Sequence, residues 1–409
     1  MMFDSGTTAF MIVATSLVML MTPGLAFFYG GLANKKNIVG IMMQTFVSLG
    51  ITSILWLCVG YSLCFSGDGA ILGNLDKAFL QGVAADSVFS GNAKIPELVF
   101  ISYQMMFAII TPVLITGAFV NRVTFKAFLI FLVLWQFLVY YPFVHMVWGG
   151  GFLASMGVLD FAGGIPVHAI AGFGALGAVF YVGGRREKDE KPHSIPLIAI
   201  GAGILWFGWY GFNAGSELNL DQFTALALIN TDISASFAAI SWLMIEWARE
   251  GKPKFVGLLT GALAGLVIIT PAAAYVSMPT AALYGIVGGT ACYFAIQFKN
   301  KMEWDDALDV WGLHGVGGVL GMIMLGIFSS SAVNPAATDG LFFGGELMFF
   351  ITEVGAVVGA SVYAFIFTYG MLRIIEFVTP VKVSEEFELK GLDEMIHGEL
   401  AYDYDLSID

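Results

Sequence analysis

Eleven stretches of this chain are apolar and long enough to cross a bilayer, near 5–33, 38–66, 96–119, 123–143, 160–182, 195–215, 223–247, 255–275, 279–298, 307–328 and 345–377. About 20 apolar residues span the hydrocarbon as a helix. Lipid offers no partners for backbone N–H and C=O groups, so each stretch must satisfy them internally, as a helix does. The expected fold is all-α: a polytopic membrane protein of eleven transmembrane helices. Only 12% of the 409 residues are charged, against about 25% in soluble domains. The 50 glycines point to helices packed closely through small residues. The first stretch has no basic flank before it and is too long for a cleaved signal, so it reads as the first span.

The charges then orient the chain. Every Lys and Arg except Lys77 and Lys94 falls near the end of an odd-numbered stretch or in the tail. The positive-inside rule places those ends in the cytoplasm, with the N-terminus outside; an odd number of spans requires the same. The net charge of −13 argues against a nucleic-acid partner. Cys58, Cys64 and Cys292 form no CxxC pair and read as buried thiols.

One spacing occurs twice. Asp160, FAGGIPV and His168 stand before one apolar run; Asp306, ALDVWGL and His314 stand before another, 146 residues later. The first lies at span five, which starts outside, and the second at span ten, which starts inside. That pattern reads as two inverted repeats, about 5–182 and 195–328, with 345–377 as an extra helix. Transporters of this plan hold their site near the midplane, between the halves. The transmembrane domain takes 1–377; the polar, acidic 378–409 is a cytoplasmic tail, either a solvated terminus or a regulatory segment.

Ionisable residues inside a membrane mark function by default. Three readings of the two histidines compete: hydrogen-bonded glue between helices, ligation of a metal or haem, and a pathway handling protons or a small polar solute. No further Cys, His or acidic cluster surrounds them, so no metal or cofactor is expected; the inverted placement favours the pathway. A pair sharing a proton titrates as a unit. The aspartates should differ. Asp306 suits an N-cap at the inner end, whereas Asp160 at the outer end could also attract a cation. Trp148 is expected in the loop before span five. Tyr103 and Phe107, four apart, share a helical face. Such rings are more often packing, but they also form cation–π sites of about 2 kcal/mol or more when desolvated. An ion entering a low-dielectric interior costs on the order of 20 kcal/mol, so aromatics alone carry no cation across. A solute that leaves its proton behind avoids most of that cost. No nucleophile–base pair is visible, and Gly149, Gly150 and Gly151 lack the Lys–Ser/Thr partner of a phosphate loop, so an enzyme is not expected.

Six stretches carry a resemblance across almost the whole chain: MTPGLAFFYGGL from Met21, FAIITP from Phe107, HMVWGGGFLASMGVLDFAGGIPVH from His145, WYGFNAGS from Trp209, ITPAAAYV from Ile269 and DALDVWGLHGVGG from Asp306. The chain resembles the ammonium transporter (Amt/Mep/Rh) family. The resemblance implies eleven spans with an outside N-terminus, a pseudo-twofold between spans one to five and six to ten, and a plasma-membrane homotrimer with one pore per subunit. It implies an outer recruitment site of Trp148, Tyr103, Phe107 and Ser216, with ammonium or methylammonium as ligand, and Asp160 as a supporting acid beneath it. Phe107 and Phe212 would form a gate, His168 and His314 a pore relay, and Trp209 and Thr270 would line the path. GLDEMIHGELAY from Gly391 is similar to the family tail that contacts neighbouring subunits and, in many members, a PII-type signal protein. Two positions depart from the pattern. Tyr103 is often Phe, and its hydroxyl is expected to accept from ammonium. Asp232, in INTDISAS, replaces an uncharged residue and is expected to cap or pair. A passive ammonia or carbon dioxide channel and a low-flux sensor remain alternatives.

Overall fold

The computed structural model describes residues 3–92, 94–188 and 191–402. Eleven helices are long and apolar enough to cross a membrane: α1 Ser5–Leu32, α2 Lys35–Phe65, α3 Glu97–Ala118, α4 Phe125–Ser155, α5 Gly164–Val182, α6 Ile195–Glu217, α7 Gln222–Glu250, α8 Phe255–Ala272, α9 Met278–Lys301, α10 Trp311–Phe328 and α11 Leu347–Ile375. Among the described residues no strand forms; two isolated antiparallel bridges join Val88 to Pro96 and Val123 to Lys382. The expected all-helical, multi-pass architecture is what the chain adopts.

Short polar side chains start several helices. Asp4 accepts from the Thr7 N–H at 2.6 Å, and Asp221 forms a capping box with Thr224 at the head of α7. Each satisfies donors that a helix start leaves unpaired. α4 runs further than its apolar stretch suggests. Regular helix continues through Tyr141–Trp148, so Trp148 closes a helix and does not lie in a loop.

Small residues set the packing. α1 packs on α6, α7 on α8 and α9, and α5 on α11. The histidine-bearing helices α5 and α10 cross on glycine. A Cβ at Gly172 would stand 2.0 Å from the Gly315 backbone nitrogen, so only hydrogen fits there.

The α10 end of the bundle also carries a charged knot. Arg122, fully buried, donates to the backbone carbonyls of Ala118 and Asp305. Arg185 Nη2 meets the Asp305 carboxylate at 2.8 Å. Despite burial, the two arginines hold the Asp305 carboxyl down at about 2. Burial pulls the Arg122 guanidinium down to about 10, against the opposing pull of Asp305.

The tail is no solvated strand up to residue 402. The Thr124 N–H donates to the Val381 carbonyl at 2.9 Å and the Val383 N–H to the Arg122 carbonyl at 3.0 Å. After the short helix α12, Glu385–Lys390, the Leu392 N–H donates to Asn37 Oδ1 and the Gly40 N–H to Asp393 Oδ1. The tail is thus laid across its own chain's connections beside α1, α2 and α4. The last acidic residues, 403–409, lie outside the described residues.

Candidate functional site

The site is assembled by two unusual helix starts. At the head of α5, the Asp160 carboxylate accepts from the Gly163 and Gly164 N–H groups at 2.8 Å and from Ile165 at 2.7 Å. The turn needs Gly163, whose φ of 124° suits only glycine. Gly164–Ala169 then forms a wide π-helical turn that carries His168, a geometry frequent at functional sites. Pro166 is tolerated because a first-turn N–H has no partner anyway. α10 repeats the device. Asp306 accepts from Val310 at 3.1 Å and Trp311 at 2.7 Å, and a π-helical turn over Trp311–Gly315 carries His314. Both aspartates therefore cap a helix start. Burial pushes both carboxyls up to about 6, while the backbone donors pull them down.

The two wide turns bring the rings together. His168 Nδ1 and His314 Nδ1 are 3.2 Å apart, with planes 24° from parallel. One nitrogen must donate and the other accept, so a single hydrogen joins the pair. His168 is also stacked on Trp209 at 5.4 Å. His168 Nε2 is buried without a partner. The pair borders a cavity of about 20 Å³, otherwise lined by apolar groups including Leu25, Ile110, Val167 and Phe212. That is room for one water-sized molecule.

Phe212, on the wall of this cavity, packs against Phe107. Phe107 and Phe212 have centroids 4.2 Å apart. Phe107 also meets Trp148 edge-on at 6.0 Å and Tyr103 at 5.0 Å. Beyond them opens a second cavity of about 410 Å³, with Trp148, Ser216, Phe161 and Gln104 on its wall. Ser216 Oγ donates to the Phe212 carbonyl at 2.9 Å. Its only hydrogen is thereby used, and its lone pairs are left to accept from a ligand.

The remaining expected residues are placed as follows. The Tyr103 hydroxyl is fully buried, 2.9 Å from the Gly211 carbonyl, 2.8 Å from that of Phe212 and 3.3 Å from Ser216 Oγ. It ties α3 to α6, and Tyr103 is on the wall of neither cavity, so its hydroxyl is no open acceptor for a cation. Trp209 Nε1 donates to Thr270 Oγ1 at 3.0 Å; Trp209 borders the small cavity and Thr270 braces it from behind. Asp232 accepts from the Tyr210 hydroxyl at 2.6 Å, apart from both cavities. Sequence reasoning passes over Glu353, a lone carboxylate within α11 that reaches this site; a charged residue inside an apolar span is the signal for it. Among the described residues no group of three or more His, Cys, Asp or Glu is placed to hold a metal ion.

Comparisons with known proteins point to one family. The sequence pattern of the Ammonium Transporter Family matches residues 9–402. An ammonium transporter of Bacillus subtilis is 42% identical, over 97% of this chain and 98% of its own. Ammonium transporter Amt1 of Archaeoglobus fulgidus is 41% identical, over 98% and 100%. The crystal structure of Candida albicans Mep2 superposes with a TM-score of 0.87 at 34% identity, covering 94% of this chain and 87% of that one. A structure described as a sensor Amt protein reaches 0.86 at 27% identity, covering 95% and 98%. Sequence, fold and relatives converge: the chain is a multi-pass membrane protein of the ammonium transporter family.

Proposed function

We propose that this protein recruits ammonium in the larger cavity, strips one proton from it and conducts neutral ammonia past the phenylalanines to the histidine pair. Trp148 and Phe107 offer ring faces to a cation, and Ser216 offers a lone pair. Potassium has the same charge but donates no hydrogen bond, and a bond to a charged group is worth about 1.5–3 kcal/mol. Asp160 supports this wall through its backbone. Beyond Phe107 and Phe212 the path is too apolar for an ion on the order-of-magnitude Born cost of about 20 kcal/mol, so ammonia and proton part company. His168 and His314 relay the proton, and transport is electrogenic. Trp209, braced by Thr270, holds the His168 ring in line.

The reading rests on one observation above all: two imidazoles joined through Nδ1 at 3.2 Å, on the wall of an otherwise apolar cavity that holds a single small molecule. Ammonium-evoked current in proteoliposomes tests it. His168→Ala and His314→Ala should each abolish the current or admit potassium. Variants that keep both current and selectivity would refute the relay, and uptake without current in the unmodified protein would make it a passive channel.

We further infer a plasma-membrane location with the N-terminus outside, from the basic residues, and two inverted halves, from the matched caps, turns and histidines. The assembly is a homotrimer, and a PII-type protein reads the cytoplasmic face where the tail lies.

A further inference from the structure

Glu353 lies within α11 and is fully buried. Its Oε1 accepts from the Leu159 N–H at 2.7 Å; its Oε2 is buried with no partner. A carboxyl group taken out of water this completely needs compensation, and one backbone N–H is little. The residue it holds stands directly before Asp160. The Phe161 N–H, on the other side, donates to the Pro271 carbonyl at 3.0 Å. Trp148 Nε1 donates to the carbonyl of Asp160 itself at 2.8 Å. So the peptide that carries Asp160 is clamped on one side by α11 and on the other by α8, and the indole of the larger cavity hangs from it.

We propose that Glu353 is a positioning residue for substrate recruitment: it fixes the Leu159–Phe161 backbone, and through the Asp160 carbonyl the tilt of the Trp148 ring that faces the ammonium. The inference rests on Trp148 being part of the recruitment site. Glu353 touches no substrate; it sets where the ring stands. Three links make the chain, and each is a single hydrogen bond or covalent neighbour. α11 lies outside both matched repeats, so the clamp is an element the repeat does not supply to the other half.

The test is methylammonium uptake into proteoliposomes, which needs no assumption about current. Glu353→Leu takes the acceptor from the Leu159 N–H and is expected to raise KM roughly tenfold with little change in maximal rate. Glu353→Gln keeps the accepting oxygen and restores KM to within about twofold. Trp148→Phe keeps a ring but not its N–H, so adding Glu353→Leu to it should cost nothing further. Should Glu353→Leu fail to fold, Glu353→Ser, too short to reach Leu159, takes its place. Additive effects, a silent Glu353→Leu, or a Gln variant as weak as Leu would each overturn the proposal. Trp148→Ala separates this from the recruitment reading: if it leaves KM unchanged, that reading falls and the clamp with it. If it raises KM while Glu353→Leu is silent, only the clamp is wrong.

Discussion

The Asp160–His168 segment and the Asp306–His314 segment are the same device in two settings. Each has an aspartate eight residues before a histidine, a carboxylate capping a helix start and a wide turn that swings the imidazole inward. Their surroundings diverge. Around Asp160 stand Trp148, Phe161 and the buried Glu353, with a 410 Å³ cavity on one side. Around Asp306 stand Lys299, Asp309, Asp305, Arg122 and Arg185. The capping chemistry is shared, because both helices need the same turn. What differs is the second set of partners: aromatic around Asp160, ionic around Asp306.

The sharpest way to break the comparison is at the crossing of α5 and α10. A Cβ at Gly172 would stand 2.0 Å from a backbone nitrogen, but one at Gly318 would meet Ala169 N at 2.8 Å and the Gly164 carbonyl at 3.0 Å. Overpacking against backbone typically costs about 1–3 kcal/mol, occasionally more. Gly172→Ala should yield little folded protein by size-exclusion chromatography. Gly318→Ala should fold with a lowered Tm. Equal yields would show that the α5 side yields as readily as the α10 side.

The caps come next. Asp160→Ala strands three N–H donors and Asp306→Ala two. Each should lower stability by about 2–3 kcal/mol, the scale of a lost bond to a charged group. Only Asp160→Ala should also raise KM for methylammonium, since only it holds a wall of the larger cavity. Uptake normalised to folded protein, beside thermal unfolding in detergent, separates the two effects. A KM change in both variants would mean that the cap itself, and not its neighbours, makes the site.

Acid separates the ionic cluster at Asp305 from the two capping aspartates, with opposite signs. The Asp305 carboxyl is held at about 2, below its ordinary 3.8. Its ion pairs therefore add stability above about pH 4 that is lost as pH falls through 2. Asp160 and Asp306 are pushed the other way, to about 6. Their contribution is full below the ordinary carboxyl value and is lost as pH rises through 6. Tm should thus climb from pH 7 to about 4 and then fall. Asp305→Asn should remove the fall and keep the climb; a variant whose Tm still falls below pH 4 would point to other carboxylates.

Much of this could be read from sequence, for physical reasons. Bilayer thickness makes a span visible as a run of apolar residues, so eleven helices were legible; the repeated spacing then picked out His168 and His314. Helix ends were less legible. Trp148 looked like loop because Gly149–Gly151 follow it, yet the helix holds to the residue before. The two-sided packing was not legible at all. Nothing in a linear pattern says that Glu353, nearly 200 residues downstream, reaches Leu159, or that the Tyr103 hydroxyl turns to carbonyls on α6. Those contacts belong to the crossing of helices, which sequence spacing does not encode. Asp232 falls between: a cap or a pair is the expectation, and its partner Tyr210 is not legible in the spacing.

That pair sets the smallest expected effect. Asp232 and Tyr210 are both part-exposed and sit in neither segment. Their single bond, at 2.6 Å, joins α7 to α6. Tyr210→Phe removes the donor and Asp232→Asn the charge. Tyr210→Phe should cost about 0.5–1.5 kcal/mol, the net worth of one hydrogen bond; Asp232→Asn, whose amide oxygen still accepts from Tyr210, should cost less, and once Tyr210→Phe has removed the donor it should add little. KM and ammonium selectivity should stay as they are. A selectivity change at Asp232→Asn would mean that its charge acts on the path from outside both cavities. The division between an aromatic end and an ionic end would then have to include the flank of α7.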